Sequence, residues 1–374
     1  MAPPSTTTTE LIDDVTAEIL LLLPPDEPEH LFRAALVCKP WLRILCDPAF
    51  LRRYRAYHGA PPLLGFIHRF AGDLVPRLAS TTSVPAFTHP GSDGRGARAF
   101  DCRHGRVLMS QGEISAYNFL VWNPVSGDRR CVPVPDIDYW LYSAAVLCAA
   151  DGCDHLDCHD GPFRLVLAGR DTRSNLICAC VYSSETCTWS TPVSLDNSRG
   201  FHVRSRPGAL VNDEIYFTFS RDDAILKYDW GNNWLSMVKT PVPRSRYYGF
   251  AAVMTMVDGS LGLGRVEDSS LYLWSRKVNS EGDAEWILCR VIELETVMPM
   301  ANLSPYGANV VAFADGVDVI FLGTNAGLFT IELKSGRVRM FGESWLHLSI
   351  LPYMSFYTPG IMPTLASYCP TISL

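Results

Sequence analysis

The sequence predicts a small helical unit followed by an all-β domain built as a propeller of about six blades. Three observations carry this. Apolar residues recur at helical spacing only in the first fifty or so positions. From about residue 60 the chain breaks into short apolar runs separated by Gly, Pro, Asn and Asp, with no long helical stretch between them. A turn pattern then recurs: "RHG" around His104, "VND" around Asn212, "VDG" around Asp258 and "ADG" around Asp315. The separations are 108, 46 and 57 residues, and 108 is twice 54.

The helical part begins after MAPPSTTTTE, which reads as a disordered lead-in over residues 1–10 and lacks the basic and apolar regions of a secretory signal. Asp13 and Asp14 suit a helix N-terminus, and Val15, Ile19 and Leu22 or Leu23 follow at helical spacing. Pro24-Pro25 must end this helix, because proline lacks an N–H and disfavours helix in the residue before it. Pro28 suits the first turn of a second helix. Beyond it Leu31, Ala35, Cys38, Leu42 and Leu45 form one apolar stripe, shared by two pieces because Pro40 interrupts the backbone bonding, and Asp47-Pro48 closes it. Helices this short need tertiary contacts. Leu20, Leu21, Phe32, Leu36, Val37 and Trp41 exceed what one internal seam can cover, which points to a protein-binding face.

Residues 11–55 resemble the F-box. Leu11 is followed by Asp13 and Asp14, then "EIL" at Glu18 to Leu20 and "LP" at Leu23-Pro24; Arg33, Val37-Cys38-Lys39, Trp41 and Asp47-Pro48 with Phe50 complete the pattern. Ile12 stands where the family usually carries a proline. The resemblance implies docking to a Skp-type adaptor and, through it, a cullin–RING ubiquitin ligase. The anchors it implies are Leu11, Ile19, Leu20, Leu23, Pro24, Leu36, Val37 and Trp41. The competing reading is a helical cap packed on the domain that follows.

Runs such as "NFLVWNP", "RLVLAG", "ICACVYS", "EIYFTFS" and "SLYLWSR" are strand candidates, and many short antiparallel strands imply a sandwich, barrel or propeller. The period of roughly 45–55 residues decides for a propeller. Blades are expected near 62–98, 99–136, 140–196, 201–244, 248–295 and 306–350, with "LSILPYMSFYTPG" supplying a strand to the first blade to close the ring. Trp234 and Trp286 are expected to fill gaps between blades. Residues 60–374 resemble the F-box-associated kelch-like region of plant F-box proteins, particularly grass ones, through "LVWNPVSGDRRCVPVP" and "LPYMSFYTP".

Composition narrows the function classes. A net charge of −7 without a basic arm disfavours nucleic acid. The longest aliphatic run, Ile19 to Leu23, is far short of the roughly 20 residues that span a bilayer. The twelve cysteines are sparse and many sit in apolar strings, so free thiols and a reducing compartment, cytoplasm or nucleus, are expected.

Few motifs carry chemistry. "CAADGCDHLDCHDG" offers Cys148, Cys153, His155, Cys158 and His159, donors that suit zinc, but it has no C-x-x-C knuckle and reads as a solvated hairpin loop; no metal or cofactor is expected. "GSLGLGR" around Gly262 lies in a β-run without a following helix, which removes it as a phosphate loop. No nucleophile is tied to a particular His, so no catalytic residue is named. Target-binding candidates on a propeller rim are Arg170, Arg173, Arg199, Arg204, Arg206, Arg244, Arg246, Tyr247 and Tyr248, since Arg and Tyr make good anchors. The reading that results is a non-catalytic substrate receptor of a ubiquitin ligase. Its rivals are a propeller enzyme or small-ligand binder with ionisable groups in the central channel, and an F-box scaffold acting outside a ligase.

Overall fold

Prolines punctuate the N-terminal unit as the sequence requires. The computed structural model describes residues 13–70, 76–82, 98–113, 116–156, 158, 160–220, 224–241, 251–279, 283–297, 308–343 and 347–359. Helix α1 (Asp13–Leu21) ends before Pro24, α2 (Glu29–Ala35) starts after Pro28, and α3 (Lys39–Leu45) carries Pro40 in its first turn. Asp47-Pro48 does more than close the stripe. Asp47 accepts the Ala49 N–H at 2.7 Å and caps a further helix, α4 (Pro48–His58). Proline suits that first turn because its missing N–H has no partner to lose. Leu20, Leu31, Leu45, Phe50 and Tyr54 form the core of the unit, and the Tyr54 hydroxyl donates to the Leu23 carbonyl at 2.7 Å.

The β-domain is a six-bladed propeller. The first blade pairs β1 (Leu63–Phe70) with β2 (Arg77–Ser80) and, on its other side, with the last strand of the chain, His347–Met354. The second runs β3 (Arg98–Arg103), β4 (Arg106–Glu113), β5 (Ala116–Trp122) and β6 (Arg129–Pro133). The third has β7 (Tyr139–Cys148), β8 (Phe163–Asp171) and β9 (Ile177–Ser183), edged by β10 (Thr188–Trp189) and β11 (Val193–Leu195). The fourth contains β12 (Ala209–Val211), β13 (Glu214–Thr218), β14 (Ala224–Asp229) and β15 (Trp234–Lys239). The fifth contains β16 (Ala252–Thr255), β17 (Leu261–Glu267), β18 (Ser270–Val278) and β19 (Ala284–Glu293), followed by the short helix α5 (Leu294–Val297). The sixth is β20 (Asn309–Ala314), β21 (Val319–Thr324), β22 (Gly327–Glu332) and β23 (Val338–Glu343), and β24 (His347–Met354) then closes the ring. The expected closing strand is therefore present, with Ile67 opposite Leu351.

The repeated turn is the link between the first and second strand of a blade. His104-Gly105, Asn212-Asp213, the Asp258 turn and the Asp315 turn all occupy that place. Each needs a residue at positive φ, supplied for instance by Asn212 at 52° and Gly316 at 83°.

Each seam between neighbouring blades holds its own apolar cluster. Strand alternation sorts side chains between seams: Ile215 and Phe217 face the third blade, Tyr216 the fifth. Both faces of a blade are thus buried, which is why the strands read as continuous apolar runs. Trp286 joins the seam between fourth and fifth blades, and its indole N–H donates to the Lys239 carbonyl at 2.8 Å. Trp234 does not fill a gap: it begins an outermost strand, beyond the reach of the next blade, and is 65% exposed.

The segment after β24 reaches the helical unit. Phe356 lies in the core of that unit, and Phe32 packs against Tyr357. The helices therefore sit on the propeller face where the first-to-second-strand turns emerge, because β24 ends on that face.

Candidate functional site

Helix α1 and the turn that ends it carry two apolar faces. Thr16, Leu20 and Leu21 are buried, whereas Val15, Ile19 and Leu22, spaced four and three apart, are 45%, 48% and 63% exposed. In the turn after α2, Leu36 and Val37 are 80% and 64% exposed. Of the implied anchors, Ile19, Pro24, Leu36 and Val37 lie open, and Leu23 and Trp41 are half-buried against the unit's own core. Leu20 is inside that core at 2% exposure, so it supports the open face from beneath. Leu11 lies outside the described residues. Val15 and Leu22 were missed as open residues because their stripe reads as a core stripe. The sign that two stripes share one nine-residue helix is the run Ile19 to Leu23, apolar all round.

Of the arginines picked for the rim, Arg170, Arg173, Arg199, Arg204 and Arg206 lie toward the other propeller face. Arg173 is exposed in the turn after β8, and the Arg170 guanidinium lies 3.4 Å from His202 Nδ1. Arg199 is exposed in the connection between third and fourth blades. Arg204 donates to the carbonyls of Phe219 and Ser220 at 2.8 and 2.9 Å, and Arg206 donates to the Val310 carbonyl at 2.8 Å. Those two guanidiniums hold backbone. Arg244, Arg246, Tyr247 and Tyr248 lie outside the described residues.

Around the axis, a cavity of about 330 Å³ is lined by Asp101, Arg103, His104, Arg206, Thr255 and Asp315 among others. Its polar groups tie inner strands together. Asp101 accepts the Val146 N–H at 3.0 Å and the Arg103 Nε–H at 3.2 Å; Arg103 also donates to the Gly208 carbonyl. The Thr255 hydroxyl donates to the Leu210 carbonyl at 2.9 Å, and the Ser143 hydroxyl to that of Arg206 at 2.7 Å. Burial pushes the carboxyls of Asp101 and Asp315 up, and the Arg103 cation works against that in both. Burial, with His155, Arg103 and Arg106 adding to it, holds His104 down to about 3, so its imidazole is neutral at physiological pH.

Gly262 and Gly264 of the "GSLGLGR" run serve packing. A Cβ at Gly262 would stand 2.5 Å from Met256 Sδ, and one at Gly264 2.6 Å from Met254 Cε.

The cysteine-rich loop between β7 and β8 does not splay open. One donor atom each from Cys148, Cys153, His155 and Cys158 lies within 4.8 Å of the others; His159 is outside the described residues. No C-x-x-C knuckle is needed, because Cys148 ends a strand and the loop folds back over it.

Comparison with known proteins places these features. Residues 98–360 match the family described as F-box protein AT5G49610-like, beta-propeller. A curated relative, F-box protein At5g03970 of Arabidopsis thaliana, is 24% identical over 368 residues, covering 88% of this chain and 82% of the relative. Among solved structures, U3-55K is 11% identical with a TM-score of 0.41, covering 78% of this chain and 80% of its own. A chain of the nidogen/laminin complex is 12% identical with a TM-score of 0.44, covering 77% and 97%. With most of its length matched, the chain belongs to the AT5G49610-like family of F-box β-propeller proteins.

Proposed function

We propose that this protein is the substrate-recognition subunit of a Skp–cullin–F-box ubiquitin ligase, acting in cytoplasm or nucleus without a catalytic group of its own. The observation that carries the reading is the exposure of Val15, Ile19, Leu22, Leu36 and Val37, apolar residues left open on a helical unit whose core is already filled. A Skp-type adaptor is the occupant that family membership favours. The target protein would bind the propeller face away from the helices, where Arg173 and Arg199 are exposed. Tethering then raises the effective concentration of target at the ubiquitin-charged enzyme and makes transfer nearly intramolecular.

The test is recovery of the adaptor by the full chain and by an Ile19→Asp, Val37→Asp double variant, with thermal unfolding as the folding control. The reading expects adaptor capture by the wild type, loss of capture by the variant, and equal unfolding temperatures. Equal capture by both would overturn it. Stabilisation of a bound target on cullin-pathway inhibition separates ligase action from plain scaffolding.

A further inference from the structure

The loop from 149 to 162 is an exception within the repeat. In the second, fourth, fifth and sixth blades the corresponding turn has between two and five residues. A loop this long without regular structure needs something to hold it. Its own apolar content is small, and it carries Asp151, Asp154, Asp157 and Asp160.

We propose that this loop is folded around a structural zinc ion held by Cys148, Cys153, Cys158 and His155. The four donors lie within 4.8 Å of one another, and Cys158 Sγ is 3.8 Å from His155 Nδ1. Tetrahedral zinc, with Zn–S near ~2.3 Å and Zn–N near ~2.0 Å, sets its donors roughly 3.5–3.8 Å apart, so small side-chain shifts complete the site. A second observation is independent of that spacing. Cys148 Sγ accepts the Ala150 N–H, and Cys153 Sγ accepts the His155 N–H, both at 3.4 Å and each from the residue two positions on. Such N–H groups aimed at sulfur stabilise thiolates, as outer-shell donors do at metal sites.

Three thiolates and a neutral imidazole would leave the zinc site with a net charge of about −1. The Arg106 guanidinium stands beside it and donates to the carbonyls of Cys158 and Gly161, both at 2.6 Å. Three thiols release three protons to solvent as they bind the metal. Four protein donors leave no open position, so the ion serves structure and not catalysis. Thiolate-rich donor sets of this kind favour zinc over magnesium or calcium.

The site has a structural reach beyond its loop. Leu156 packs against the apolar core of the helical unit, and the His155 ring lies against His104 at the cavity mouth, with centroids 4.4 Å apart and the planes tilted by 50°. Zinc would therefore pin a propeller loop that touches both the helices and the axial cavity.

The test is elemental analysis of the full chain, purified under reducing conditions without added metal. The expected result is about one zinc per chain in the wild type, none in Cys153→Ser, Cys158→Ser, and wild-type content in a Cys131→Ser, Cys187→Ser control at two exposed thiols. Should the first variant fail to fold, metal-stripped wild type is titrated with Co²⁺. The absorption of tetrahedral, thiolate-bound cobalt, bleached by Zn²⁺, supports the site. Wild type that carries no zinc and gives no such absorption overturns it, as does a disulfide among these cysteines in freshly isolated protein.

Discussion

Phe32 on α2 packs its ring against Tyr357, centroids 4.9 Å apart, and so joins the first helices of the chain to the segment that follows the closing strand. The neighbouring Phe356 is 3% exposed in the core of the helical unit. Ring closure and seating of the helices therefore use one segment. Phe356→Ala should destabilise the protein by about 3–5 kcal/mol, the usual range for emptying a buried aromatic site. Met340→Ala, at a half-exposed strand position, should stay within about 0.5 kcal/mol of wild type. Denaturant unfolding of the two variants side by side measures both.

Tyr54 tests the interior of the helical unit. Its ring is buried and its hydroxyl meets the Leu23 carbonyl in the turn that Pro24 ends. Tyr54→Phe removes that bond while keeping the packing, and should cost about 1 kcal/mol. No loss of stability on equilibrium unfolding would show that solvent reaches the Leu23 carbonyl.

On α1, adjacent residues should give opposite phenotypes. On the proposed docking of an adaptor, Ile19→Ala should weaken its binding by up to about 2 kcal/mol, as a binding anchor does, with the unfolding midpoint unchanged. Leu20→Ala should lower stability by about 2–5 kcal/mol, as a core truncation does. Calorimetric titration with the adaptor and thermal unfolding of each variant separate the two faces.

Asp101 holds the second blade to the third through the Val146 N–H, and it is the close counter-charge of Arg103. Asp101→Ala leaves that guanidinium buried beside the cavity and should cost about 3–5 kcal/mol. The expected sign in the data is a lower midpoint for the whole propeller, since the bond crosses a blade seam.

Asp258 gives a pH signature at a recurring turn. Its carboxyl is held down at about 2 by the Ser260 hydroxyl first and by Lys277 next. A folded value below the unfolded one means the stabilisation is fully present above about pH 4 and is lost as pH falls toward 2. Asp258→Asn should thus unfold earlier than wild type at pH 7, and the gap should close near pH 2. A gap that does not vary over this window would show that the Asp258 charge plays no part.

The sequence by itself determined the ring. Strand alternation and turn chemistry are local, so the period, a ring of about six blades and the strand offered by "LSILPYMSF" are written into short stretches of chain, and the structure sets the number at six. Prolines placed the helix ends for the same reason. Only the tertiary structure decided what those elements face. It set Leu20 inward and Val15 outward on one helix, gave Arg204 and Arg206 to backbone carbonyls, and left Trp234 open while Trp286 filled a seam. It also drew Cys148, Cys153, His155 and Cys158 together, although their spacing shows no paired knuckle. The path of a long loop depends on what lies beneath it, and here that is another blade and the helices, contacts between residues far apart in the chain.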